Sequence, residues 1–130
     1  MLEDGGETMS DSHIKLGRAG EFAACAFYEL RDAIVLERNW RCQFGEVDII
    51  ALDNGFLAFC EVKTRKSVSA GDPEEQIGKD RQERYIRCAQ IYCEQCDVSY
   101  EGVRFDVIAV KAHNEHSGEL HFIPNAFGED

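Results

Sequence analysis

Two apolar runs meet at Asp53-Asn54-Gly55, and no other feature of the chain restricts its fold as much. Asn-Gly accepts the positive φ that a two-residue type I′ turn requires at both central positions. The segment GEVDIIALDNGFLAFCEVKTR (45–65) is therefore predicted to be a β-hairpin. With Asn54 and Gly55 as the turn, Asp53 pairs with Phe56, and counting outward sets Asp48 opposite Glu61 and Glu46 opposite Lys63. Side chains alternate along a strand, so Ile50, Leu52, Leu57 and Phe59 share the face of these four charges. A one-residue slip would move the whole set to the other face.

The two pairs differ in meaning. Glu46 against Lys63 is an ordinary attraction. Asp48 against Glu61 sets two carboxylates about 5 Å apart, which at an effective dielectric of about 20 repel by about 3 kcal/mol. A hairpin built for stability alone would avoid this. A hard divalent cation such as Mg²⁺ or Mn²⁺ turns the repulsion into attraction, because such ions take carboxylate oxygens. Lys63 would then stand beside the ion, where an ammonium stabilises developing phosphate charge or positions water. Taken alone, the charges also fit the solvated face of an exposed hairpin. Their passage into four apolar residues on the same face favours a pocket.

Around the hairpin, Leu16, Ala19, Ala23, Ala26, Phe27 and Leu30 follow helical spacing, with Gly17, Glu21, Ala24 and Tyr28 on the opposite side. AIVLERNW (33–40) reads as a strand, and KSVSAGDPEE (66–75) as a polar loop. A second helix is predicted from Asp72-Pro73, as N-cap and first helical residue, to about Cys96. VRFDVIAVK (103–111) is a strand, HNEHSGE a loop, and LHFIPNAF a short strand or extended tail. The order predicts one α/β domain over 13–130, a mixed sheet flanked by helices, behind a disordered acidic leader at 1–12.

The opening MLEDGGETMSDS carries four acids and no base, which excludes a standard export signal and points to a cytoplasmic protein. No apolar run is long enough to span a membrane, so no membrane partner is expected. Six cysteines in that setting read as reduced thiols. Cys93-x-x-Cys96 lacks the second pair that structural zinc usually needs. The net charge of −11 argues against strong nonspecific binding to nucleic acid. The deficit is uneven, however: residues 61–90 hold seven Lys/Arg against six Asp/Glu. Within that stretch, Arg65 and Lys66 follow the hairpin directly. Lys79, Arg81, Arg84 and Arg87 lie along the second helix, interspersed with Asp80 and Glu83. Of these, Arg65, Lys66, Lys79 and Arg84 are the candidate phosphate contacts. Asp106 is expected to pair with Arg104 on its own strand face, and Trp40 to sit at the edge of the core.

The segments LGRAGEFAACAFYEL, ERNWRCQFGEVDIIALD, LAFCEVKTR and VRFDVIAV, with the stretch from Lys79 to Ala89, closely resemble the YraN-like uncharacterised bacterial protein family over about residues 14–127. That family is similar to the restriction-endonuclease-like superfamily, whose motif is an Asp followed by acid-x-Lys, and in its short architecture to archaeal Holliday-junction resolvases. The resemblance implies that Asp48 is the motif Asp and Glu61-Val62-Lys63 the acid-x-Lys. It implies metal ligation by Asp48, Glu61 and the Val62 carbonyl, and a supporting role for Glu21 on the first helix. Lys63 would assist water activation. Val47 stands where the motif often has Pro.

The expected function is thus a Mg²⁺- or Mn²⁺-dependent endonuclease acting on structured or branched DNA. The competing class is a noncatalytic nucleic-acid- or protein-binding module that keeps the nuclease fold. A thiol or zinc protein built on Cys93 and Cys96 would need further ligands. Oligomeric state, a homodimer included, is left open.

Overall fold

A computed structural model describes residues 5–66 (side chains from Lys15 onward), 77–114 and 116–128. The elements are α1 (Gly5–Leu30), β1 (Ile34–Cys42), β2 (Gly45–Asp53), β3 (Phe56–Lys66), α2 (Lys79–Gln95), β4 (Gly102–Ala112) and β5 (Gly118–Phe127). The strands form one sheet in the order β1-β2-β3-β4-β5. Among the described residues only β3 and β4 run parallel, joined across α2; the other pairs are antiparallel. This is the mixed, helix-flanked α/β sheet that the element order predicts.

The hairpin has the expected register. Asp53 pairs with Phe56, and the ladder continues outward to Ile49–Cys60. Asn54 and Gly55 both take positive φ, 52° and 86°, as the turn demands. β3 is the central strand and is buried from Leu57 through Glu61. Its alternate sides feed two cores. Ala58 and Cys60, with Ile49 and Ala51 of β2 and Ile108 and Val110 of β4, pack against Ala24, Cys25 and Tyr28 of α1. Leu57 and Phe59, with Ile50 and Phe105, pack against Tyr85, Cys88, Ala89 and Tyr92 of α2. Trp40 meets Tyr92 edge-on, 5.3 Å between centroids, at the rim of this second core. All six cysteines are free thiols.

The helices differ from the sequence reading in three ways. First, α1 already begins at Gly5. Of the expected leader, residues 1–4 lie outside the described residues, and 5–12 form the first turns of the helix. Those turns carry no apolar stripe, so spacing could not mark them. Second, α1 buries its small-residue side, Gly20, Ala24, Cys25 and Tyr28, while Leu30 is 87% exposed. The cause is close approach: a Cβ on Gly20 would lie 2.0 Å from the Thr64 hydroxyl of β3, so only glycine fits there. Third, α2 starts at Lys79 behind Gly78, which caps it with no side-chain hydrogen bond. The proposed Asp72 cap and Pro73 start lie outside the described residues. Ile77 and Gly78 are nonhelical, so no helix continues from 73 into α2.

One buried charge network ties the sheet together. Arg104 holds Asp106 through both carboxylate oxygens, each at 2.9 Å, and reaches Asp53 at 2.6 Å. The Tyr28 hydroxyl donates to Asp106 at 2.7 Å, and the Asn125 backbone N–H does so at 2.9 Å. Asp53 also meets Arg31 at 3.2 Å. The Arg104–Asp106 pair is therefore structural, as its shared face suggests. Removing one partner of a buried ion pair strands the other charge. Arg104→Met is expected to destabilise the fold by about 3–5 kcal/mol in urea unfolding. Gly20→Ala, which forces α1 off β3, should cost about 1–3 kcal/mol in the same measurement.

Candidate active site

The β2–β3 ladder stops one residue short of Asp48 and Glu61, and the site lies where the two strands part. Val47 and Ile50, three residues apart, pack in the same core, so β2 breaks its two-residue alternation at Asp48. The Asp48 carboxylate turns to the neighbouring strand and accepts the Val62 N–H at 2.8 Å. Asp48 and Glu61 are thus not a cross-strand ladder pair. They nevertheless border one cavity of about 350 Å³, together with Glu21, Glu46, Val62, Arg81, Arg84 and Tyr85.

Glu61 is buried, and α2 supplies both of its partners. The Tyr85 hydroxyl donates to Oε1 at 2.7 Å, and the Arg81 guanidinium contacts Oε2. Tyr85 does more than this. Its oxygen accepts the Asp48 N–H at 3.2 Å, and the Cys60 carbonyl lies 3.3 Å away. One phenol therefore bridges both strands at their fork. Burial, and then the charges of Asp48 and Glu61, push its pKa well above the ordinary tyrosine value, so it stays a neutral donor.

Across the cavity, Glu21 and Glu46 meet over Asn39. With the Asn39 amide nitrogen turned toward the acids, it donates to Glu46 at 3.1 Å and to Glu21 at 3.2 Å. Glu46 also pairs with Arg41, its cross-strand neighbour on β1, at 3.6 Å. The sequence reading set Glu46 against Lys63 instead. The β2–β3 ladder ends before that pair, so the register does not set the two opposite each other.

A second, basic cleft of about 580 Å³ adjoins the acidic one, lined by Lys63, Ile77, Gly78, Lys79, Asp80, Arg81 and Arg84. Lys63, Lys79 and Arg84 thus come together, and Arg81 and Arg84 stand on the wall common to both cavities. Arg65 and Lys66 are exposed farther along β3, outside these walls. Arg87 turns away, over the ring of Phe44 at 5.4 Å.

Sequence reasoning missed Tyr85 and Asn39. Tyr85 belongs to the stripe 85, 88, 89, 92, which reads simply as the apolar side of a helix. The usable signal was its hydroxyl, since a buried phenol needs a partner. Asn39 takes a positive φ of 53° in mid-strand, which asparagine tolerates, but a lone strand Asn carries no motif.

The electrostatics are lopsided, with four acids and two arginines around the smaller cavity. The Asp48 carboxyl is pushed up to about 7, first by burial and then by the Glu61 charge, with Glu21 and Glu46 adding to it. The Val62 N–H opposes the shift. Four carboxylates around one cavity have the donor chemistry that a hard divalent cation takes. Even so, among the described residues no three His, Cys, Asp or Glu side chains are gathered tightly enough to hold one. The guanidinium of Arg81 is the positive charge now on Glu61.

The profile of Uncharacterised protein family UPF0102 matches residues 20–110. The chain belongs to this family. A UPF0102 protein of Syntrophotalea carbinolica is 38% identical over 122 residues, covering 94% of this chain and 98% of its own. One from Chlorobium phaeobacteroides is 42% identical over 117 residues, covering 86% and 93%. Another, from Pseudarthrobacter chlorophenolicus, is 42% identical over 95 residues, covering 73% and 72%. The UPF0102 match includes Glu21, Asp48, Glu61, Lys63, Arg81 and Tyr85. Among the described residues, no helix is long and apolar enough to cross a membrane.

The raised Asp48 pKa has a stability consequence. An unfolded Asp titrates near about 3.9, so from about pH 4 to about pH 7 the folded chain binds more protons than the unfolded one. Stability from this group therefore falls as pH rises through that window and levels off above it. Asp48→Asn, which cannot ionise, is expected to melt above wild type at about pH 8, with the gap closing toward about pH 4.

Proposed function

We propose that this chain is a Mg²⁺- or Mn²⁺-dependent endonuclease that hydrolyses phosphodiester bonds, with structured or branched DNA as the favoured substrate. The observation that carries the reading is the shared wall. An acidic cavity lined by Asp48 and Glu61 shares Arg81 and Arg84 with a basic cleft lined by Lys63, and Lys63 lies two residues from Glu61 on the same strand. Carboxylates for a cation and ammonium or guanidinium groups for a phosphate are then within one site.

Asp48 and Glu61 would hold the cation, with the Val62 carbonyl, and Glu21 would support them from α1. A bound divalent ion supplies Lewis-acid charge at the phosphoryl oxygen and lowers the pKa of a bound water. Tyr85 keeps the Glu61 carboxylate oriented, and the Val62 N–H does the same for Asp48. Lys63 would donate to the oxygen on which charge develops. Lys79 and Arg84 would hold the flanking backbone through charge-assisted contacts, with Arg65 and Lys66 taking more distant phosphates. The net charge of −11 keeps nonspecific affinity low, so recognition would rest on substrate shape more than on bulk attraction.

One observation favours the alternative, a noncatalytic nucleic-acid- or protein-binding module: Glu61 already has a cation in Arg81. Cleavage assays on linear, flapped and four-way DNA, with Mn²⁺ and with chelator, separate the two. The nuclease reading expects Mn²⁺-dependent nicking of at least one substrate, and Lys63→Ala to reduce it roughly 10²-fold or more. Mn²⁺ should raise the Tm of wild type and of Lys63→Ala, but much less that of Asp48→Asn or Glu61→Gln. A wild type that neither cuts any substrate nor responds to millimolar Mn²⁺ would overturn the nuclease reading.

A further inference from the structure

We propose that Arg81 is a phosphate ligand parked on Glu61: its guanidinium neutralises the carboxylate until a divalent cation arrives, then moves to a phosphodiester in the adjoining cleft. The inference rests on the cation-dependent reading above and adds a residue role and a coupling to it.

Four observations converge on Arg81. It stands on the wall common to the acidic cavity and the basic cleft, so either side is within reach of one side chain. Its partner is fixed while it is not: the Glu61 side chain is 7% exposed and anchored by Tyr85, whereas that of Arg81 is 49% exposed. An exposed guanidinium gives up such a contact at little cost, because water replaces it. Glu61 also has both oxygens engaged, Oε1 by Tyr85 and Oε2 by Arg81. A divalent ion on this carboxylate would sit against a guanidinium, and like charges so close repel.

The fourth observation is the position of Arg81 in α2. It is the third residue of a helix that starts at Lys79 and has no side-chain cap on Gly78. The first turn is the positive end of the helix dipole, the wrong end for a cation. Asp80 shares that turn, and the anion on Arg81 itself is the Glu61 carboxylate of β3; a phosphate in the cleft would suit the planar guanidinium fork as well. Exchange of one anion for the other moves only a side chain, and Tyr85 holds the strand fork throughout.

This arrangement couples two ligands. Cation binding frees Arg81 for phosphate, and phosphate draws Arg81 off Glu61. By linkage each tightens the other by the same factor.

The test uses Mn²⁺ titration calorimetry on the full chain, and fluorescence anisotropy of a short DNA duplex in chelator. Arg81→Gln should bind Mn²⁺ roughly two- to fivefold more tightly than wild type, since its competitor is gone, and should bind DNA more weakly. Glu61→Gln should release Arg81 without metal and bind DNA more tightly than wild type in chelator. In the double variant that gain should vanish. If Arg81→Gln binds Mn²⁺ no more tightly than wild type, or if the double variant keeps the DNA gain, the parked-arginine proposal is overturned and the cation reading stands. If wild type, Arg81→Gln and Asp48→Asn all fail to bind Mn²⁺, both are overturned. Arg81→Gln leaves the buried Glu61 carboxylate with the Tyr85 hydroxyl, so thermal melts of the variant accompany both titrations to show that it is folded.

Discussion

Where two paired strands separate, each leaves backbone groups that the ladder no longer satisfies, and a buried N–H without an acceptor is costly. In this chain the separation falls just beyond Ile49 and Cys60. The Val62 N–H finds its acceptor in the Asp48 carboxylate, and the Asp48 N–H finds one in the Tyr85 hydroxyl. The fork is thus closed by side chains in place of main chain. Everything chemically distinctive nearby follows from that substitution. A carboxylate that caps this strand fork is half buried and close to a second carboxylate. Its raised pKa is the electrostatic expression of the same geometry.

The sheet around the fork was largely legible in the sequence, for particular reasons. Asn-Gly admits few backbone conformations, so the hairpin register could be counted residue by residue, and Asp53–Phe56 is the pair it requires. The apolar run of β3 reflects burial on both sides, which a central strand with a helix on each face must have. The helices were less legible. On α1, spacing favours large apolar residues, yet the side that packs is the one with Gly20 and Ala24, because close approach to Thr64 selects for small size. On α2, Pro73 suggested a start six residues before Lys79, and the uncapped Gly78 gave no sign of its role.

The candidate site divides along the same line. Asp48, Glu61 and Lys63 could be gathered from strand periodicity and turn chemistry, which operate over short range. Arg81, Tyr85 and Asn39 reach them from separate elements, and nothing in a local pattern records such contacts. The expectation that Asp48 and Glu61 face each other as a ladder pair also failed locally, since strict alternation presumes that strands stay paired. Part of the cavity lining was therefore readable as residues, and its arrangement was not.

The parallel junction of β3 with β4 has a consequence for how the site comes into being. β1, β2 and β3 are linked by tight turns and can associate early, as local contacts do. The pairing of Phe56 through Lys66 with Gly102 through Ala112 closes a much longer loop, and α2 lies within it. Until that loop closes, Asp48 and Glu61 have neither the phenol nor the guanidinium that α2 carries. The early hairpin holds two carboxylates near one another, and completion of the long-range crossover brings Tyr85 and Arg81 to Glu61. The candidate cluster is therefore complete only once this crossover has closed, so it depends on the final topology of the chain.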